Sequence, residues 1–295
     1  METLSTAFRD IAKQVMLISK SPAVITEENV YQQADKNITP FLDQMVGSLV
    51  LPGSGVDGLN NLEDLYSKAK TGKSCLLLLE HYSNMDLSLF CYLVERAGGK
   101  GREIADSVIA IAGMKLNEDN PIVSAWASAY TKIVIYPSRS IHGLGLDSKK
   151  NKEELTRSIA INRAAMKTLN DLKYKGRLVL LFPSGTRYRP WDPSSKKGVR
   201  EMDSYVKSFD YMCLVSINGQ VLHVNQGEMM DDPVTKDVVR LGVGPVLSCR
   251  EFREKAKAEA DADSLADTKQ AVANSIMEEL EKMHVVGEEI RKRYL

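Results

Sequence analysis

The chain carries no surplus of charge: 39 Lys and Arg balance 39 Asp and Glu over 295 residues. Net charge therefore gives no reason to expect nucleic acid or an acidic membrane surface as a partner; only a local patch could. Long apolar runs are missing too. None approaches the roughly 18 residues that a membrane-spanning helix needs. The opening METLSTAFRDIAKQVMLISK is polar and amphipathic, without the apolar stretch of a signal peptide. A cytoplasmic protein, soluble or at most peripheral, is expected. Cysteine is scarce, and Cys75, Cys91, Cys213 and Cys249 lie far apart, with no CxxC pair and no metal-ligand spacing. Three of them sit in or beside apolar runs, where a free thiol acts as a small hydrophobe, a pattern that fits a reducing compartment. No Walker pattern is present, so a nucleotide is not expected.

What is present is ordinary for a globular protein, with 43% apolar and 26% charged residues. The length suits one large domain with a smaller one appended. Residues 1 to about 50 read as helical, because Phe8, Ile11, Val15 and Ile18, and then Ile38, Leu42, Met45 and Leu49, recur at three- and four-residue steps. LPGSGVDGLNN (51–61) reads as a linker. The expected division is a helical domain over 1–58 and an α/β domain over 59–295. In the latter, strands are expected at 75–79, 108–112, 132–136, 177–182, 212–217 and 239–243. Helices are expected at 84–97, 121–130, 152–173 and 200–209, with one or two more in 251–295. Asn84 or Ser83 would cap the first of these, and Pro121 would open the second after Asn120. Short apolar strands alternating with helices predict an α/β fold with a mostly parallel central sheet flanked by helices.

Ligands of such sheets bind beyond the carboxyl ends of the strands. After the first predicted strand comes Glu80-His81-Tyr82-Ser83-Asn84-Met85-Asp86; after the third, Pro137-Ser138-Arg139; after the fourth, Pro183-Ser184-Gly185-Thr186-Arg187-Tyr188-Arg189-Pro190. A base, a carboxylate and three arginines would share one rim. On a continuous helix, His81 and Asp86 would stand roughly 140° apart, whereas a turn leading into a helix start folds the acid back to the ring. Asp86 then orients His81, which can take a proton from a substrate hydroxyl. Alone, the same residues read as a core histidine and a helix cap, since this spacing is common by chance. No third ligand stands at metal spacing. His142, three residues after Arg139, is a lesser candidate. Arg187 and Arg189, one residue apart in extended chain, can point the same way, and their planar forks suit phosphate oxygens. Gly185 would let backbone N–H groups approach an anion. Surface salt bridging is the plainer reading of any one arginine.

Taken together, His81-Tyr-Ser-Asn-Met-Asp86, Ile133-Val-Ile-Tyr-Pro-Ser-Arg139 and Phe182-Pro-Ser-Gly-Thr-Arg187 resemble, in order and separation, the three motifs of the glycerolipid acyltransferase family. The resemblance covers roughly residues 70 to 225. Much of the family has Glu where this chain has Ser184. Pro-Ser-Gly, Arg-x-Arg-Pro and Asp192-Pro193 look most like the soluble plastid-type glycerol-3-phosphate acyltransferases. The resemblance implies His81 as general base, Asp86 as its orienter, and Arg139, Arg187 and Arg189 as phosphate ligands. It implies acyl transfer from acyl carrier protein or coenzyme A to the sn-1 hydroxyl of glycerol 3-phosphate, without a cofactor or metal. The compartment would be the plastid stroma were the source plant-like. Ser184, Gly185 and Thr186 offer backbone oxyanion donors. Other readings remain open. A lysophosphatidate acyltransferase would use the same base and make peripheral contact with a membrane. A non-catalytic binder of acyl carrier protein or phosphoanions would use the basic LDSKKNK (146–152), itself readable as a solvated helix start. A metal-dependent hydrolase is the third alternative.

Overall fold

The structure is a computed structural model that describes residues 2–118, 120–137, 149–261 and 267–295. Nine strands form among them: β1 Tyr31–Gln32, β2 Gly55–Asp57, β3 Cys75–Leu79, β4 Val108–Gly113, β5 Lys132–Ile135, β6 Leu178–Leu181, β7 Tyr211–Asn218, β8 Arg240–Val243 and β9 Leu247–Ser248. The fold class is α/β, as the alternation of strands and helices predicts. All six expected strands form, within a residue or so of their expected limits, and the helices Asp86–Arg96, Pro121–Ala127, Lys149–Leu172 and Met202–Ser208 match the four expected between them. The C-terminal stretch makes two helices, Cys249–Asp261 and Thr268–Arg291.

The chain forms two compact units. One comprises Met1–Arg9, Asp43–Val108 and Lys175–Leu295, and the other Asp10–Leu42 and Ile109–Tyr174. This grouping does not follow the break expected at residue 58. Residues 55–57, expected as linker, form strand β2 parallel to β8, and a helix begins at Leu59. Its only large apolar residue is Val56, so the segment reads as loop; backbone pairing and an Asp57–Arg240 ion pair make it a strand. The N-terminal stretch is not continuous helix either. Helices Arg9–Ile18 and Thr39–Leu49 are separated by irregular chain and by β1, which runs antiparallel to β5.

In the larger unit the strand order is β6-β3-β7-β8-β2. β3 lies between β6 and β7, parallel to both. That central position explains its sequence: all five residues of Cys75-Leu-Leu-Leu-Leu79 are buried, so no polar face is left to alternate. β8 and β9 run antiparallel to β7, so the sheet is mixed. The helices Leu59–Lys70 and Thr268–Arg291 pack on β7. The register sets Leu78 beside Leu181 and Leu79 beside Val215, so β3, β6 and β7 run to the same rim. In the smaller unit β4 is parallel to β5, and helix Lys149–Leu172 packs on β5.

Candidate functional site

His81 and Asp86 meet, and the local sequence explains how. Helix Asp86–Arg96 starts without a side-chain cap, its N-cap being Met85 rather than Ser83 or Asn84. Asp86, the first helical residue, turns back over the preceding turn instead. Its Oδ2 lies 2.9 Å from His81 Nδ1 and accepts the N–H groups of Tyr82 (2.6 Å) and Ser83 (2.8 Å); its Oδ1 accepts the Ser83 hydroxyl at 2.7 Å. One carboxylate, 2% exposed, therefore receives four donors. An ionised carboxylate can only accept, so the His81 proton sits on Nδ1 and Nε2 keeps its lone pair when the ring is neutral. The face that Asp86 begins is buried through Leu89, Phe90 and Leu93.

The ring of His81 is not sealed in the core; its side chain remains 16% exposed. It stacks on Phe182, the residue that follows β6 on the adjacent strand, with centroids 4.0 Å apart and planes 18° apart. Beyond Phe182, the Gly185 N–H donates to the Phe182 carbonyl at 2.8 Å, closing a tight turn over Pro183 and Ser184. Gly185 has φ +62°, and a Cβ there would stand 3.0 Å from Val199. Of the three candidate oxyanion donors, the Gly185 N–H is thus committed to the turn. The N–H groups of Ser184 and Thr186 have no acceptor among the described residues.

The arginine loop is tied to the histidine directly, since the Tyr188 N–H donates to the His81 carbonyl at 2.8 Å. Arg187 and Arg189 flank this link. Arg187 Nη1 donates to Asp232 Oδ2 at 2.6 Å, and Asp232 is 1% exposed and also accepts the Asn225 N–H. Arg189 is more open. Its Nη2 donates to the Thr186 hydroxyl at 3.1 Å, and its Nη1 is 3.5 Å from Asp192. Arg139 and His142 lie outside the described residues, as do residues 146–148 of the basic patch. Among the described residues no group of three His, Cys, Asp or Glu is placed to hold a metal ion, and no helix is long and apolar enough to cross a membrane.

Two neighbours, Asp232 and His284, escape the sequence reading, and two more, Glu80 and Tyr82, stand in it without a role. Glu80, 5% exposed, accepts the Ile217 N–H (2.8 Å), the Tyr82 hydroxyl (3.0 Å) and His284 Nδ1 (2.9 Å). The signal for His284 is its place four residues after Leu280, on the buried stripe of the last helix. Asn84 Nδ2 also approaches Met229 Sδ at 3.1 Å, bringing the 225–232 segment to the same turn. No family model matches this chain, and no curated protein matches it.

Proposed function

We propose that the chain is an acyltransferase of the glycerolipid kind, moving a fatty acyl group from acyl carrier protein or coenzyme A to the sn-1 hydroxyl of glycerol 3-phosphate. The observation that carries this reading is the hydrogen bond from Tyr188 to the His81 carbonyl. It fastens a loop with an arginine on each side of Tyr188 to a histidine whose Nδ1 is already held by Asp86. A phosphate held by Arg187 and Arg189 brings the attached alcohol toward the imidazole. The guanidinium of Arg187 has five N–H donors and spends one on Asp232.

The hydroxyl oxygen attacks the thioester carbonyl carbon while its proton passes to His81 Nε2, which contributes about 10²–10⁴-fold. Collapse of the tetrahedral adduct breaks the C–S bond, and the imidazolium returns the proton to the departing sulfur. Asp86 holds the ring in the required tautomer and offsets its transient charge. The Ser184 and Thr186 N–H groups supply candidate stabilisation for the adduct oxygen. Positioning by the arginines can account for several kcal/mol of the barrier, about 7–11 at the theoretical best.

The test is a matrix of acceptors against thioester donors with purified protein. Thioester consumption that requires glycerol 3-phosphate supports the reading. Consumption that requires a 1-acylglycerol 3-phosphate instead moves the acceptor to the lysophosphatidate class. No consumption with any pair removes the enzyme.

A further inference from the structure

We propose that Tyr82 and His284 are positioning residues for His81, and that Tyr82 is the link joining the two histidine–carboxylate pairs at this rim. The inference rests on the reading of His81 as the base. Successive side chains of an extended strand point to opposite faces, and the two residues that follow β3 keep separate company. His81 turns to Phe182 and Asp86. Glu80 turns to β7 and to the last helix, where it accepts Ile217 N–H and His284 Nδ1.

Tyr82 bridges the two. Its backbone N–H donates to Asp86 Oδ2, the same oxygen that holds the His81 ring. Its hydroxyl donates to Glu80 Oε1 and lies 3.3 Å from His284 Nδ1. Its ring meets Tyr188 edge-on, with centroids 6.1 Å apart, and the Tyr188 N–H binds the His81 carbonyl. Burial first, and then the Glu80 carboxylate, push the Tyr82 phenol up, so it stays a donor at any working pH. A shift of Tyr82 therefore moves an N–H on Asp86 and the packing of the arginine loop together.

His284 is itself set closely. Asn218 Nδ2 donates to the His284 carbonyl at 2.8 Å. Gly287, one turn further on, brings the helix so near β7 that a Cβ there would fall 2.0 Å from Asn218 Oδ1. The charged groups acting on the imidazole are Glu80 from the end of β3, Lys196, and Glu281 on its own helix. Desolvation, the largest single influence, lowers its pKa, but the hydrogen bond to Glu80 and the charges of Glu80 and Glu281 together outweigh it, and the net direction is upward. Glu80 thus has His284 Nδ1 as a hydrogen-bond partner beside the base.

The experiment uses the full chain and three variants, Tyr82→Phe, His284→Ala and His284→Asn, with two readouts: the titration midpoint of the His81 ring protons by NMR, and kcat and KM for glycerol 3-phosphate. Circular dichroism and thermal melting establish that each variant is folded. Tyr82→Phe and His284→Ala are expected to move the His81 midpoint and to lower kcat about fivefold, the worth of one hydrogen bond, with KM unchanged. Asn places an N–H donor close to the position of Nδ1, so His284→Asn should recover part of what His284→Ala loses. Folded Tyr82→Phe and His284→Ala proteins with an unmoved His81 midpoint overturn the proposal. A parallel rise in KM without a fall in kcat would also overturn it, since that marks substrate contact rather than positioning. Absence of turnover in the unaltered protein defeats the acyltransferase reading alone, because the NMR midpoint still decides the coupling.

Discussion

The imidazole of His81 and the phenyl ring of Phe182 are stacked nearly parallel, from the ends of two neighbouring parallel strands. The contact joins the first and third sequence motifs in space. Aromatic pairs of this kind contribute about 0.5–1.5 kcal/mol beyond the area they bury. Phe182→Leu keeps an apolar side chain and removes the stacked face. We expect it to lower kcat roughly three- to tenfold on that energy scale, with a smaller change in KM. Steady-state kinetics with saturating acceptor measures this, and an unchanged kcat would leave the stack without a role in orienting the base.

Asp86→Asn addresses the tautomer. An amide offers a single acceptor oxygen where the carboxylate now receives four donors. The turn can then hold neither the ring nor both N–H groups as before. We expect kcat to fall by about 10²–10⁴-fold, as for His81→Ala. Residues that act as one unit are not additive. The double variant His81→Ala/Asp86→Asn should thus be scarcely slower than His81→Ala alone; a multiplicative loss would show that the two do not work as a pair.

Asp232 and Arg187 form a largely buried ion pair, the acid 1% and the arginine side chain 17% exposed. Removing one partner of such a pair leaves the other uncompensated. Asp232→Ala also strips the Asn225 N–H of its acceptor. We expect a loss of stability on the order of 2–4 kcal/mol, discounted from the fully buried case because Arg187 reaches solvent. Urea denaturation of the purified variant measures it. A change below about 0.5 kcal/mol would place the pair with ordinary surface bridges.

The parts of the fold that can be read from sequence are those whose signal is local. Cys75–Leu79 reads as a strand because parallel neighbours on both sides bury every residue. Asn120 and Pro121 announce a helix because the Asn120 side chain does cap the N–H groups of Ile122 and Val123. β2 is hidden because its partner β8 lies far along the chain and Gly55-Val56-Asp57 has no alternation of its own. The same holds at the site. His81 and Asp86 are five residues apart, so the turn that joins them can be inferred. Asp232 lies 45 residues from Arg187 and His284 lies 204 from Glu80, and no local pattern connects them. The committed Gly185 N–H is hidden for another reason: Pro-Ser-Gly suggests both an anion cradle and a closed turn, and only the backbone conformation distinguishes them.

Three of the four cysteines should behave as core residues. Burial pushes the thiols of Cys75 and Cys213 up to about 12, and that of Cys249 up as well. A thiol needs its thiolate form to react. At pH 8 the native protein should therefore consume at most one equivalent of a maleimide, at the half-buried Cys91, and four after unfolding. Mass spectrometry of the labelled peptides identifies the site. Rapid native labelling of Cys75 or Cys213 would mean that the central strands open far more readily than their burial implies.

Lys132 offers a test of sign. It lies on β5, 2% exposed, and its Nζ donates at 3.0 Å to the carbonyl of Ala127, the last residue of helix Pro121–Ala127. Burial lowers its pKa from 10.5 to about 8. In the unfolded chain this lysine keeps its proton up to about pH 10.5, while in the folded protein it releases it near pH 8. Between those values the unfolded state binds more protons, so this residue makes stability rise with pH. A drop of that size corresponds to about 3 kcal/mol across the window. Other groups titrate in the same range, so the comparison must be with Lys132→Met, which fills similar volume without a charge. Guanidinium unfolding of both proteins at pH 7, 8, 9 and 10 should show the advantage of the methionine variant shrinking steadily above pH 8. Parallel curves for the two proteins would mean that the buried ammonium is as well solvated in the fold as in the open chain.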